Sequence, residues 1–171
     1  MNLENAIQVA LKYEGGVHRI YLEAMKKTSD NSAKRIFEQL CREERSHLAY
    51  LRERLDEWHK EGKIHVKKLG TSIPTRAAIE KSLKDLGKTV KPKPTRRLLE
   101  LKLLRQALAA EVKTSTFFKK MVETLDAEGQ QMFRRFVEIE EGHEAIVQAE
   151  IDSMTNLGFW FDTPEFRLEM E

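Results

Sequence analysis

Two copies of a Glu-x-x-His pattern stand out among the residues that can do chemistry. The first copy pairs Glu44 with His47, and the second pairs Glu140 with His143. Residues three positions apart on a helix lie on one face about one turn apart, so each carboxylate and its imidazole can reach a common point. The apolar neighbours of both pairs place that point towards the protein interior. Carboxylates and imidazoles that meet inside a protein are typical metal ligands.

An internal repeat adds one glutamate to each pair. Four positions have counterparts 97 residues later with the same spacing: Ala10, Glu14, Val17 and Tyr21 match Ala107, Glu111, Thr114 and Phe118. After the next turn the offset becomes 96, and Phe37, Leu40, Glu44 and His47 match Phe133, Phe136, Glu140 and His143. Each half therefore contributes a single glutamate from one helix and a Glu-x-x-His from the next.

Six ligand-type residues would then converge in an apolar core, namely Glu14, Glu44, His47, Glu111, Glu140 and His143. Buried charge without a partner costs several kcal/mol per ion, and no Lys or Arg is evident on the inward helix faces. Two divalent cations would balance four carboxylates. Oxygen-rich ligation with one imidazole per metal suits iron or manganese better than the tetrahedral sites usual for zinc.

The elements that must carry these residues are four long helices. Apolar residues recur at helical spacing over residues 3–27, from the Thr28–Ser32 turn to about Trp58, from Thr95 to Leu125, and from the turn Asp126–Gly129 to about residue 156. Because both turns are short, the first and second helices are antiparallel, and so are the third and fourth.

The connection between the two pairs is long, at about residues 61–94. A connection of this length suits a crossover along the whole bundle, which makes the second and third long helices parallel. It is expected to hold a short helix near Pro74–Leu86, ended by Gly87. The sequence thus predicts an all-α, ferritin-type four-helix bundle over residues 1–158. Residues 159–171 are expected to form a C-terminal segment that packs on the bundle or on a second subunit.

Composition excludes several classes of protein. The single cysteine, Cys41, excludes an internal disulfide framework, a four-cysteine zinc site and a cysteine-ligated iron–sulfur cluster. No apolar run approaches the roughly 18 residues of a membrane span. The first residues lack the basic region and apolar core of a signal peptide, so we expect a cytoplasmic protein.

Charge is uneven along a chain whose net charge is only +2. Residues 59–97 contain twelve Lys or Arg but three Asp or Glu. Such a basic crossover could meet nucleic acid or an acidic partner. The simpler interpretation is a solvated linker, because no aromatic residue stands among the lysines to stack on bases.

The sequence resembles the ferritin-like superfamily and, within it, the rubrerythrin-type di-iron proteins, across all four helices. The residues that carry the resemblance are Glu14, the run Glu43–His47, Glu111 and the run Ile139–Glu144. The segment Gly158–Phe166 also resembles the C-terminal stretch of rubrerythrin-like proteins.

The resemblance implies a role for each residue of the set. Glu44 and Glu140 would bridge two iron ions, with manganese or zinc as other possible occupants. Glu14 and His47 would complete one metal position, and Glu111 and His143 would complete the other. Tyr21 resembles a tyrosine that acts beside the metal ligands in the family, whereas its repeat mate Phe118 cannot form a hydrogen bond.

The implied function is that of a non-haem di-iron oxidoreductase that reduces peroxide or oxygen under oxidative stress, as a homodimer. Rubrerythrins carry another glutamate where Thr114 stands here, and a rubredoxin domain that one cysteine cannot supply. Electrons would therefore come from a separate donor such as a rubredoxin-like protein. Two alternatives stay open: an iron-binding or ferroxidase protein that buffers iron, and a metal-stabilised structural or partner-binding bundle.

Residues beside the ligands have simpler interpretations. Glu43 and Glu141 point about 100° away from the ligand direction, so we expect them to be exposed or to contact a ligand. We expect His18 to be peripheral rather than an extra ligand, and Cys41 to be a small buried apolar residue. The pair Gly15–Gly16 would allow either a close helix approach or a local bulge.

Overall fold

A computed structural model of the chain describes residues 1–29, 31–86 and 98–155. These residues form five helices: α1 (Leu3–Lys27), α2 (Asn31–Glu61), α3 (Arg76–Leu86), α4 (Leu98–Thr124) and α5 (Ala127–Met154). No β-strand occurs within these three stretches. The all-α prediction is confirmed, since α1, α2, α4 and α5 are the four long helices and α3 is the short crossover helix.

Local hydrogen bonds explain where the helices begin and end. The Asn2 side chain accepts a hydrogen bond from the Asn5 N–H (2.9 Å) and caps the start of α1. Helix α2 ends where Gly62 adopts a positive φ of 68°, a conformation that costs glycine little. The Gly62 N–H donates to the Trp58 carbonyl (2.8 Å), which closes the last turn.

Two boundaries differ from the predicted ones. Helix α5 begins at Ala127, because the Asp126 side chain accepts from the Gly129 N–H (3.0 Å) and acts as an N-cap. Residues 126–129, predicted as a turn, are therefore the start of this helix. Helix α2 begins at Asn31, inside the predicted turn, and continues to Glu61. The expected signals at Thr95, Gly87 and residues 156–158, and the segment 159–171, lie outside the described residues.

Contacts between helices give the topology. Tyr21 near the end of α1 packs on Phe37 near the start of α2, so these helices are antiparallel. Helix α1 also runs antiparallel to α4, since Thr28 donates to Glu100 and Tyr13 packs on Phe117. Helices α2 and α4 are therefore parallel, as the long crossover requires.

The crossover follows the seam between α2 and α5. The Tyr50 hydroxyl on α2 donates to the Lys67 carbonyl (3.0 Å), and Arg135 Nε on α5 donates to the Leu69 carbonyl (2.9 Å). Further along, α3 packs against α5. The crossover thus covers one side of the bundle from one end towards the other.

Buried apolar side chains form two clusters, one on each side of the middle of the bundle. One cluster includes Phe37, Leu104 and Ile146, and the other includes Leu51 and Phe133. The residues predicted as metal ligands lie between these clusters along every long helix. Among the helices of the described stretches, none is long and apolar enough to span a membrane.

The closest approach of the crossover to a helix occurs at Gly142 on α5. A Cβ atom there would lie 2.7 Å from the Pro74 carbonyl oxygen. We therefore expect Gly142→Ala to lower the free energy of unfolding by about 1–3 kcal/mol, because backbone must move. Gly16→Ala is the matched control: its Cβ would meet nothing within 4 Å, so the variant should gain up to about 1 kcal/mol of helix propensity. Urea unfolding of the metal-free proteins measures both changes, and equal effects would contradict the close approach.

Candidate metal centre

The structure brings all six predicted ligands together at the middle of the bundle. Helices α1 and α4 each supply one glutamate, and α2 and α5 each supply a Glu-x-x-His. All six side chains are fully buried: Glu14, Glu44, His47, Glu111, Glu140 and His143. Each long helix turns its ligand positions inward because they share a face with the apolar residues of the two clusters.

Two groups of four ligand-type residues share two carboxylates, and a third group of three brings Glu43 together with both imidazoles, those of His47 and His143. One group of four consists of Glu14, Glu44, His47 and Glu140, and the other consists of Glu44, Glu111, Glu140 and His143. Within each group the atoms lie within 4.8 Å of one another. Glu44 and Glu140 belong to both groups, which is the arrangement predicted for bridging carboxylates.

In the first group, the His47 ring nitrogen Nδ1 faces three carboxylates. It lies 3.3 Å from Glu14 Oε2, 3.4 Å from Glu44 Oε2 and 3.4 Å from Glu140 Oε1. The Phe136 ring meets the imidazole edge-on at 5.4 Å. Nδ1 is thus the His47 nitrogen that points into the group.

The second group has the same design. His143 Nδ1 lies 3.0 Å from Glu44 Oε1, 3.6 Å from Glu111 Oε1 and 3.7 Å from Glu140 Oε2. The two imidazole rings are stacked, with centroids 5.4 Å apart and planes 11° apart. Each shared glutamate therefore turns one carboxylate oxygen towards His47 Nδ1 and the other towards His143 Nδ1.

Burial and mutual repulsion oppose the negative charge of this site. Burial, with the charge of Glu44, raises the pKa of Glu14, and burial with three neighbouring carboxylates raises the pKa of Glu140. Burial alone would lower the pKa of His143, but the close contacts and negative charge of Glu111 and Glu44 outweigh it and raise that pKa. Without metal, these groups hold protons that a metal ion would displace.

Several polar atoms of the site have no hydrogen-bond partner in the described part of the chain. They include both carboxylate oxygens of Glu44 and of Glu140, Glu14 Oε1, and Glu111 Oε2. Buried oxygens are rarely left without a partner. Arg54, the fully buried basic side chain in the described stretches, instead pairs with Glu53 and Glu57. Two divalent cations fit this donor set in number, charge and chemistry.

One ligand is held by a tyrosine of another helix. The Tyr21 hydroxyl on α1 donates a short hydrogen bond to Glu111 Oε1 on α4. Burial would raise the pKa of Glu111, but contacts with His143 and this hydroxyl hold it below its usual value. The bond also leaves Glu111 Oε2 as the oxygen available to a metal.

Glu43 takes a larger part in the site than its helical angle indicates. Its side chain is buried, and Oε1 accepts from the Ser72 N–H (3.0 Å) and hydroxyl (2.6 Å) on the crossover. Its other oxygen, Oε2, lies 4.0 Å from His143 Nε2. Glu43 therefore lies beside Nε2, the His143 nitrogen that points away from the other carboxylates. A carboxylate in this position can orient the imidazole ring. The sequence carried no signal for this, since only the folded crossover buries Glu43.

The other residues beside the ligands lie where the sequence indicates. Glu141 is partly exposed and pairs with Lys119 on α4 (3.0 Å). Cys41 is buried in an apolar cluster. His18 is half-buried, and burial together with nearby arginines lowers its pKa. None of these residues belongs to the two ligand groups.

Comparison with known proteins bears on the first two helices. Residues 1–55 match the Rubrerythrin family model, a stretch that includes Glu14, Glu44 and His47. No curated protein and no solved structure matches the chain. The family match is consistent with a ferritin-like protein of the rubrerythrin type, a family that binds iron. Glu111, Glu140 and His143 lie beyond the matched residues, and their assignment depends on the repeat and on the geometry.

The pKa shifts predict how pH changes the stability gained from metal. Glu14 and Glu140 have pKa values above the ordinary 4.5, so their contribution to metal-free stability falls as pH rises from about 4.5 through the raised values. The contribution of His143 is complete below 6.5 and is lost as pH rises through its raised pKa. The metal-free protein should therefore melt at a lower temperature at pH 7.5 than at pH 5.5.

Metal ions displace those protons, so the gain in melting temperature on adding Mn(II) should be larger at pH 7.5 than at pH 5.5. Thermal unfolding followed by circular dichroism, with a chelator or with Mn(II) at both pH values, measures the two gains. Equal gains at the two pH values would contradict proton displacement at these carboxylates.

Removing the Glu43 charge should weaken metal binding without removing a ligand. We expect Glu43→Gln to reduce the affinity of the metal position that uses His143 by about 10–100-fold. Glu141→Gln is the matched control, because it removes a partly exposed carboxylate beside a ligand and should change affinity less than threefold. Competition with a fluorescent chelator for Mn(II) measures both. Equal affinities in the two variants would leave Glu43 without a positioning role.

Proposed function

We propose that this protein is a non-haem di-iron oxidoreductase that reduces peroxide or oxygen. The observation that carries the proposal is the pair of buried ligand groups that share Glu44 and Glu140. A site for one structural metal would need only one such group. Two groups with common carboxylates suit two metal ions held close together, as in the di-iron carboxylate bundles.

Each residue of the centre has a place in this proposal. Glu44 and Glu140 would bridge the two ions. Glu14 and His47 would complete one position, and Glu111 and His143 would complete the other. When bound, two iron ions supply the two electrons that reduction of a peroxide requires.

The chain excludes water from the site and orients its groups. Apolar clusters close the bundle on both sides of the centre, with Phe136 against the His47 ring. Tyr21 holds its proton on the hydroxyl oxygen, because burial and the charge of Glu111 raise its pKa well above the usual value. The hydroxyl can therefore serve as a fixed donor that keeps Glu111 Oε1 in place.

Electrons must reach the centre from outside in this proposal. Cys41 is the single cysteine of the sequence, so the chain cannot hold a four-cysteine iron site of its own. A separate one-electron carrier protein would supply the electrons, and a cytoplasmic location would suit such a partner. We also expect the protein to act as a homodimer.

Iron loading followed by oxidation tests the proposal. After anaerobic addition of Fe(II), we expect two tightly bound irons per chain and an absorption change on adding peroxide that a reductant reverses. Glu140→Gln should bind one iron or fewer, because it removes a carboxylate shared by both groups. Glu138→Gln, which removes an exposed carboxylate paired with Arg135, should keep two.

The alternatives give different outcomes in the same experiment. Many irons per chain would indicate storage or buffering. No more than one weakly bound iron, or two irons that peroxide does not oxidise, would leave a structural or partner-binding bundle. Two irons retained in Glu140→Gln would overturn the ligand assignment.

A further inference from the structure

The two sides of the bundle are closed differently. The crossover covers the seam between α2 and α5, the helices that supply both imidazoles. No described residue outside α1 and α4 lines the opposite seam, which holds a cavity of 430 Å³. We call this cavity the α1–α4 groove; residues between 9 and 20 on α1 and between 110 and 114 on α4 line it. Its volume lies within the range of small-ligand sites, roughly 300–1,000 Å³.

A glycine keeps the groove open. A Cβ atom at Gly16 would meet nothing within 4 Å, and one at Gly15 would meet only the end of the Arg19 side chain at 3.8 Å. Neither glycine therefore permits a close helix approach, although each costs about 1 kcal/mol of helix propensity. At Gly16, the missing side chain leaves space in the groove itself.

The floor of the groove lies beside the metal centre. Val17 and Thr114 line it and are almost fully buried. They follow Glu14 and Glu111 by three residues, so each lies one helical turn from a ligand. This is also the side from which only carboxylates reach the centre, since both histidines come from α2 and α5.

The groove is apolar inside and positively charged at its edge. Val9, Tyr13 and Ile20 line it together with exposed Lys12 and Lys113. No described carboxylate pairs with either lysine, and Lys113 Nζ lies 5.5 Å from the Tyr13 ring centre. The residues that line the groove include no acidic side chain.

A second copy of the chain fits this surface poorly. A two-fold interface places the same patch on both subunits, so Lys12 and Lys113 of both copies would bring four positive charges into one interface. An apolar ligand with a negatively charged head matches both the lining and the edge. We propose that the α1–α4 groove binds an amphiphilic hydroperoxide, a medium-length alkyl chain with a carboxylate head, as the substrate of the centre.

The substrate assignment, though not the binding itself, rests on the proposed function. The reaction would break the O–O bond of the hydroperoxide, leaving one oxygen on the alkyl chain as an alcohol and releasing the other as water. Two protons and two electrons complete the balance. The electrons would come from the separate one-electron carrier protein of the proposed function.

Binding of decanoate, an unreactive carboxylate of the same shape, tests the groove in the metal-free full-length protein. We expect one site per chain by isothermal titration calorimetry. Gly16→Leu fills the groove and should weaken binding at least tenfold. Gly15→Leu is the matched control, with the same change of helix propensity outside the groove, and should stay within twofold. Circular dichroism checks that both variants are folded.

A second pair of variants tests the charged edge independently of the glycine. Lys12→Gln with Lys113→Gln should weaken decanoate binding at least tenfold and leave the binding of decanol unchanged. Lys120→Gln, on the exposed side of α4, should leave both unchanged. In the iron-loaded protein, Gly16→Leu should slow the reaction with an alkyl hydroperoxide acid and spare that with hydrogen peroxide.

Several results would overturn the inference. One is that decanoate does not bind, and another is that Gly16→Leu and Gly15→Leu bind it equally well. A third is that sedimentation shows a dimer which Gly16→Leu dissociates and Gly15→Leu does not. With Trp58→Phe leaving Trp160 as the single tryptophan, a fluorescence change caused by Gly16→Leu and not by Gly15→Leu would indicate that residues 156–171 occupy the groove. If decanoate binds as expected but peroxide oxidises no iron, the groove stands and the proposed function fails.

Discussion

The cost of burying four carboxylates in one small volume is the constraint on which the rest of this structure depends. Glu14, Glu44, Glu111 and Glu140 are fully buried, and no basic side chain of the described stretches enters their groups. Protons can neutralise some of the charge, as the raised pKa values of Glu14 and Glu140 indicate. Cations would balance the charge and satisfy the unpaired oxygens at the same time. Each long helix must therefore deliver its glutamate at the same height, which explains why the repeat preserves polar spacing together with apolar spacing.

The crossover follows from the same requirement. Parallel α2 and α4 need a connection along the bundle, and that connection lies on the seam where the imidazoles approach from α2 and α5. There it binds Glu43 through Ser72 and contacts Gly142 closely, one residue before His143. These contacts bury Glu43 and pack the crossover backbone against the imidazole side of the centre. The opposite side, where α1 and α4 meet, keeps its groove. The crossover therefore closes one face of the bundle, and the proposed ligand site lies on the other.

The sequence was sufficient to predict the helices and the convergence of the six ligand-type residues. Apolar periodicity and the internal repeat both indicate which residues share a helix face. The sequence was insufficient where contacts between distant segments determine whether a side chain is buried or where a helix begins. The burial of Glu43 depends on the crossover, whose path no local pattern encodes. Asp126 lies in a cluster of turn-forming residues, yet its side chain caps α5 and extends the helix through Gly129. The pair Gly15–Gly16 allowed either a close helix approach or a local bulge, and only the neighbouring helix reveals open space beside Gly16.

The two halves of the centre repeat their ligands but not the groups that hold them. Tyr21 donates to Glu111, whereas its repeat mate Phe118 has no hydroxyl. Glu43 Oε2 lies 4.0 Å from His143 Nε2, whereas the residue before Glu140 is the apolar Ile139. The Nε2 atoms of both histidines have no hydrogen-bond partner in the described stretches. Tyr21 thus supports one half alone, whereas Glu43 lies within reach of the imidazoles of both halves. In agreement, the pKa of Glu111 is lowered and that of Glu14 is raised. The hydrogen bond from Tyr21 thus distinguishes two single glutamates that the repeat otherwise matches.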